Sequence, residues 1–201
     1  VGTAAMRFKE LPAALKKGVA PLWLVTGEEP LLMIEACDAL RAAARAEGYT
    51  ERQILDARAN WDWSQVFDAC RAMSLFAEKR IVEIRLTSFR VGTKGSETLT
   101  ALASEPLEGV VVIISMPSDW SVKKLAWWKK LTAAASVVEC SPVSPSDLPL
   151  WLRERLARYE LSADAEAIEL LASRCEGKRL RGAALSTISM AFGNLVSGSS
   201  N

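Results

Sequence analysis

Short apolar runs along the chain alternate with stretches in which large apolar residues recur every three or four positions. Pro21-Leu22-Trp23-Leu24-Val25-Thr26 is a compact apolar run ending at Gly27, the pattern of a buried strand. Pro30 follows where the first turn of a helix accepts it, and Leu32, Ala36, Leu40 and Ala43 then repeat at helical spacing until Gly48. Gln53 to Asp56 reads as a second strand. Trp63, Val66, Phe67 and Cys70 form one face of a helix that Asn60 is placed to cap. From Arg80 to Leu86 the chain alternates, with Val82, Ile84 and Leu86 on one side and Glu83 and Arg85 on a wetter one. A polar loop over 88–96 and a short helix over 96–104 precede Val110-Val111-Val112-Ile113-Ile114, whose lack of alternation marks a central parallel strand. Val122, Leu125, Trp128 and Leu131 predict a helix, and Ser136 to Cys140 the last strand.

The segment Ser141-Pro142-Val143-Ser144-Pro145-Ser146-Asp147 reads as a linker. Beyond it Leu148 to Arg158 and Ala163 to Cys175 have helical patterns, with Ser162 as a cap. The expected architecture is an α/β domain over residues 1–143, with about five parallel strands and flanking helices, followed by a helical domain over 144–201.

Composition narrows the chemistry. Half of the 201 residues are apolar, enough for a real core. Lys and Arg number 25 against 24 Asp and Glu, so the net charge of +1 supplies no long-range attraction to nucleic acid or anionic membrane. The chain has no histidine, which excludes Ser-His-Asp and Cys-His catalysis and imidazole zinc sites within it. Cys37, Cys70, Cys140 and Cys175 are widely spaced and form no CxxC pair, which suits free thiols in a reducing cytoplasm. No apolar run is long enough to cross a bilayer, and the first residues carry no signal-peptide core. A start at Val1 rather than Met suggests a fragment or trimmed chain.

The first strand-to-helix turn is where a nucleotide-binding α/β domain holds phosphate, on backbone N–H groups and a lysine. Here it reads Thr26-Gly27-Glu28-Glu29-Pro30-Leu31-Leu32. The lysine and second glycine are missing, two carboxylates stand in the turn, and Pro30 removes an N–H. Ser115-Met116-Pro117 offers no Asp-Glu pair for magnesium after the central strand. Glu28 and Glu29 are also the acidic residues that any helix N-terminus favours. A second segment of interest is Ala72-Met73-Ser74-Leu75-Phe76-Ala77-Glu78-Lys79-Arg80. Leu75 and Phe76 either plug the core beneath the sheet or form an exposed apolar wedge for a partner's pocket.

Several strings occur in order: Leu24 to Leu32, Asp62-Trp63, Ser74 to Arg80, Trp128, Leu148-Pro149-Leu150-Trp151 and Glu176-Gly177. Together they resemble the delta subunit family of bacterial DNA polymerase III, over about residues 8–177. The resemblance implies an ATPase-like (AAA+-type) parallel sheet that has lost its nucleotide site, then a small helical lid domain. It also implies a role in the clamp loader of DNA replication. In that family a Ser-Leu-Phe element enters the hydrophobic pocket of the beta sliding clamp. By position the clamp-binding residues are then Met73, Ser74, Leu75 and Phe76.

From Lys178 onward the resemblance ends, as a shifted reading frame or an artificial end would produce, and the family's collar domain has no expected counterpart. Ser173-Arg174-Cys175 matches the arginine-finger tripeptide of other clamp-loader subunits, but falls in the lid helices, one element later than the expected place near Val138-Glu139-Cys140. Arg174 is therefore read as a solvated helix residue. Lys123, Lys124, Lys129 and Lys130 point several ways around one helix and form no stripe for DNA. The expectation is a cytoplasmic, non-catalytic subunit of the polymerase holoenzyme, without cofactor or metal. Its partners would be the beta clamp, the delta prime and gamma/tau subunits, and DNA indirectly through the complex. The alternatives are a nucleotide hydrolase with an unorthodox site and a module that only packs on sister subunits.

Overall fold

The computed structural model describes residues 5–58, 61–71, 79–105, 107–157 and 160–176, the last three without their side chains. Two compact units divide the chain, Val1–Ser141 and Pro142–Asn201.

In the first unit a six-stranded sheet, parallel throughout, has the order β1-β6-β2-β5-β4-β3. The strands are β1 (Met6–Arg7), β2 (Leu22–Gly27), β3 (Glu51–Ala57), β4 (Arg80–Leu86), β5 (Val110–Pro117) and β6 (Ser136–Cys140). The helices of this unit are α1 (Leu11–Leu15), α2 (Pro30–Ala46), α3 (Ser64–Arg71), α4 (Gly92–Leu102) and α5 (Ala126–Ala134). The uninterrupted apolar runs became the middle of the sheet: β2 is buried along its length and lies between β6 and β5. The strand count expected from sequence falls one short. Met6 and Arg7 add a two-residue strand that pairs with Val138 and Glu139. A strand so short carries no periodicity to read.

Leu24, Ile84, Ile114 and Val137 build a core with α3, α4 and α5 on one face of the sheet. The other face meets α2, whose Leu32, Ala36, Leu40 and Ala44 are buried. Gly48, at φ +92°, ends that helix in the left-handed region open to glycine.

Three local expectations are corrected. Glycines at 92 and 95 signalled a loop over 88–96, yet α4 begins at Gly92. Gly95 is required there by packing: a Cβ would lie 2.5 Å from the Trp63 indole. The helix expected over 122–131 is broken, with a 3-10 turn over Val122–Lys124, an extended Leu125 and then α5. The wetter face of β4 is not wet at Glu83, which is 2% exposed.

The second unit contains α6 (Leu148–Ala157) and α7 (Ala165–Glu176). Asp164, not Ser162, caps α7: its Oδ1 accepts the Ala167 N–H at 2.8 Å. Asn60, the expected cap of α3, lies outside the described residues. Asp62 accepts the Ser64 N–H at 3.0 Å and its hydroxyl at 2.8 Å just before that helix.

Candidate functional site

The turn from β2 into α2 stands at the carboxyl ends of the parallel strands, where open α/β sheets bind ligands. Its backbone donors already have partners. The N–H groups of Glu28 and Glu29 both donate to the Cys140 carbonyl, each at 3.2 Å. Pro30 has no N–H to offer, and the Leu31 N–H donates to Glu29 Oε1 at 3.4 Å. Glu29 is the N-cap of α2 and is fully buried. Its carboxylate therefore sits at the positive end of a 17-residue helix, the position that a phosphate takes in a nucleotide site.

Gly27 brings the two strands together at this point. A Cβ there would lie 2.1 Å from the Cys140 carbonyl oxygen. The glycine serves close approach of β2 to β6, with its neighbours' N–H groups turned onto that same carbonyl. Glu28 and Glu29 thus do different things: Glu28 is exposed and Glu29 is an internal cap. The sequence pattern alone could not separate them.

Met73, Ser74, Leu75 and Phe76 lie outside the described residues. The flanking residues Arg71, at the end of α3, and Arg80, at the start of β4, stand at the edge of the sheet where strands begin. The β2–α2 turn is at the opposite edge of the sheet, where the strands end.

A third constellation was legible only as scattered charges. Glu83, in the middle of β4, accepts from Arg52 Nε at 2.7 Å and Arg52 Nη2 at 2.9 Å. Arg41 Nη1 of α2 reaches its two carboxylate oxygens at 3.1 and 3.3 Å, and Arg85 Nη2 approaches at 3.3 Å. Burial alone would push the Glu83 carboxyl up. The Arg52 hydrogen bonds and then the charges of Arg41 and Arg52 outweigh it and hold the carboxyl below its ordinary value. Its partners are 42 and 31 residues away, so no local spacing announces them.

The thiols nearby are not activated. Burial pushes Cys37 up to about 11 and Cys140 up to about 12. Lys123 pairs with Glu139 at 3.8 Å, and Lys124 lies 4.7 Å over the exposed Trp120 ring. Trp127 and Trp128 are buried against each other, edge to face. Arg174 is in α7 of the helical unit.

Comparison with known proteins rests on the same elements. Residues 23–141, from β2 through β6, match the family model described as "DNA polymerase III, delta subunit". The chain belongs to this family. It is 30% identical over 175 residues to DNA polymerase III subunit delta of Escherichia coli, covering 86% of this chain and 50% of that protein. The chain spans about half the length of the curated delta subunits it matches. Among solved structures it is similar to the Bacillus subtilis DNA clamp loader delta protein, with a TM-score of 0.67 at 17% identity, covering 96% of this chain and 58% of that one. It is also similar to the Thermotoga maritima RuvB Holliday junction branch migration motor, with a TM-score of 0.51 at 12% identity, covering 89% and 57%. These likenesses give this delta-family chain the AAA+-type fold, with the parallel six-stranded sheet and flanking helices already described.

Proposed function

We propose that this chain acts in a clamp loader as a non-catalytic delta subunit that binds the beta sliding clamp and helps open it for loading onto primed DNA. The family match carries the reading, since its span of residues 23–141 includes the Ser-Leu-Phe segment. Leu75 and Phe76 are the wedge that enters the clamp's hydrophobic pocket, with Met73 and Ser74 beside them. Residues 1–143 form the ATPase-like domain and 144–201 the lid. Delta prime and gamma/tau subunits would be neighbours in a cytoplasmic complex, and DNA is met through that complex.

The wedge acts by differential affinity. It opens the ring only as far as its contacts favour the open clamp over the closed one. Two buried apolar side chains supply at most about 3–6 kcal/mol gross. A nanomolar complex needs about −12 kcal/mol, so further surface on this domain must meet the clamp.

ATP is consumed by other subunits. Support comes from the occupied β2–α2 turn, where a carboxylate caps the helix and the loop N–H groups are already bonded. No saturable binding of ATP or ADP is expected at millimolar nucleotide, and micromolar binding in a fluorescent-ATP titration would overturn this part.

The wedge is tested by replacing Leu75 and Phe76 together with Ala. Clamp binding should be lost while stability changes by under about 1 kcal/mol, as for residues outside the core. A core plug would instead lose about 2–5 kcal/mol for the leucine alone. Full binding with an unchanged melt would refute the residue assignment.

A further inference from the structure

We propose that the groove between α2 and strands β4 and β5 docks a segment of a partner protein that presents a carboxylate beside a large aliphatic side chain. A cavity of about 360 Å³ opens here. Met33, Ile34 and Cys37 of α2 form its apolar wall, and Arg41, Glu83 and Arg85 line its charged side. Ile34 is 59% exposed, although it belongs to the central helix of its face. Outside the cavity lining, Ile54 of β3, 42% exposed, lies beside Glu83 in the strand register. Large aliphatic side chains thus stand in water beside a buried charge cluster.

The charges choose the occupant. Three guanidiniums, from Arg41, Arg52 and Arg85, converge on the single Glu83 carboxylate. Asp38 takes another Arg41 donor on the outer side of α2. Arg85 keeps most of its fork available: it makes one bond of 3.3 Å to Glu83, and its side chain is 45% exposed. Asp56 is its neighbour in the β3–β4 register but forms no ion pair with it. Asp56 and Asp38 make the wider groove nearly neutral, but the cavity lining itself holds two guanidiniums and one carboxylate. A planar fork at the mouth of an aliphatic pocket matches one carboxylate next to one apolar side chain. A nucleic-acid strand fits poorly, because the wall offers no aromatic face for a base and Glu83 opposes a run of phosphates. None of these residues belongs to the assigned wedge, so groove variants and wedge variants are scored separately.

The experiment uses the 201-residue chain labelled at its methionine and isoleucine methyl groups, with the peptide N-acetyl-Leu-Asp-Leu-amide as probe. Saturable shifts of the Met33 and Ile34 methyl resonances at millimolar peptide are expected. Replacing the probe's Asp by Asn, or Arg85 by Gln, should weaken binding about tenfold, the loss of one charge-assisted hydrogen bond. Ile34→Asn changes an exposed side chain and should weaken it without altering the melt, which keeps the test alive if Arg85→Gln unfolds. Absent shifts, equal binding of the Asn peptide, or unchanged binding by Ile34→Asn would overturn the proposal. So would acetate reproducing the shifts, which marks an anion site only, or the same resonances broadening with protein concentration alone, which marks a second copy of the chain.

Discussion

Glu83 keeps its charge inside the α2 face because three guanidiniums surround it, and that arrangement sets its pH dependence. Its folded pKa lies below the unfolded value, near about 4.3 for a glutamate. The stabilisation is therefore complete above the unfolded value and is lost as pH falls through the folded one. Glu83→Gln leaves three cations around a neutral group and should cost about 3–5 kcal/mol at pH 7. Denaturant unfolding at pH 7 and at pH 3 checks this: the gap between parent and variant should shrink in acid. Burial pushes the Cys37 and Cys140 thiols up to about 11 and about 12, so few thiolates exist at pH 8. Their alkylation in the native state should be on the order of a hundredfold slower than that of a free thiol. Equal rates in native and denatured protein would contradict the burial described.

At the scale of elements, the β2–α2 turn concentrates two independent constraints. Gly27→Ala would push a methyl group into the Cys140 carbonyl, and backbone must move to relieve it. A cost of at least about 1–3 kcal/mol is expected, read as a lowered melting temperature. Glu29→Ala removes the N-cap of α2 and should cost about 0.5–2 kcal/mol. Both changes fall at a turn whose place between a buried strand and a helix is legible in the sequence. The absent lysine, the acidic pair and Pro30 were all visible there. Invisible was that Glu29 folds back onto its own helix, since a cap and a solvated carboxylate share one letter. The same limit explains α4. Gly92 and Gly95 are loop signals by propensity, and only the Trp63 ring lying against Gly95 shows why a glycine stands inside the helix.

For the molecule as a whole, the first unit has its own sheet and core, and the family resemblance ends at Gly177. Truncation after Gly177 should leave cooperative unfolding intact by calorimetry; a non-cooperative melt would assign the tail a structural part. The sequence by itself determined the alternation of strands and helices, the central place of Val110 to Ile114 and the switch to helices after Ser141. Those features follow from hydrophobic period and turn residues, which act over a few neighbours. It also held the in-order strings that carry the family. Only the tertiary structure decided that Glu83 is buried and ionised, that Glu29 is an internal cap and that the exposed Ile34 lines one groove with Glu83. Each of these depends on which distant segments the sheet order brings together. Arg41, Arg52 and Glu83 meet because the connection from β2 through α2 to edge strand β3 passes β5 and β4 in the sheet order. No local pattern encodes that meeting, because the energy of a buried charge is set by partners tens of residues away.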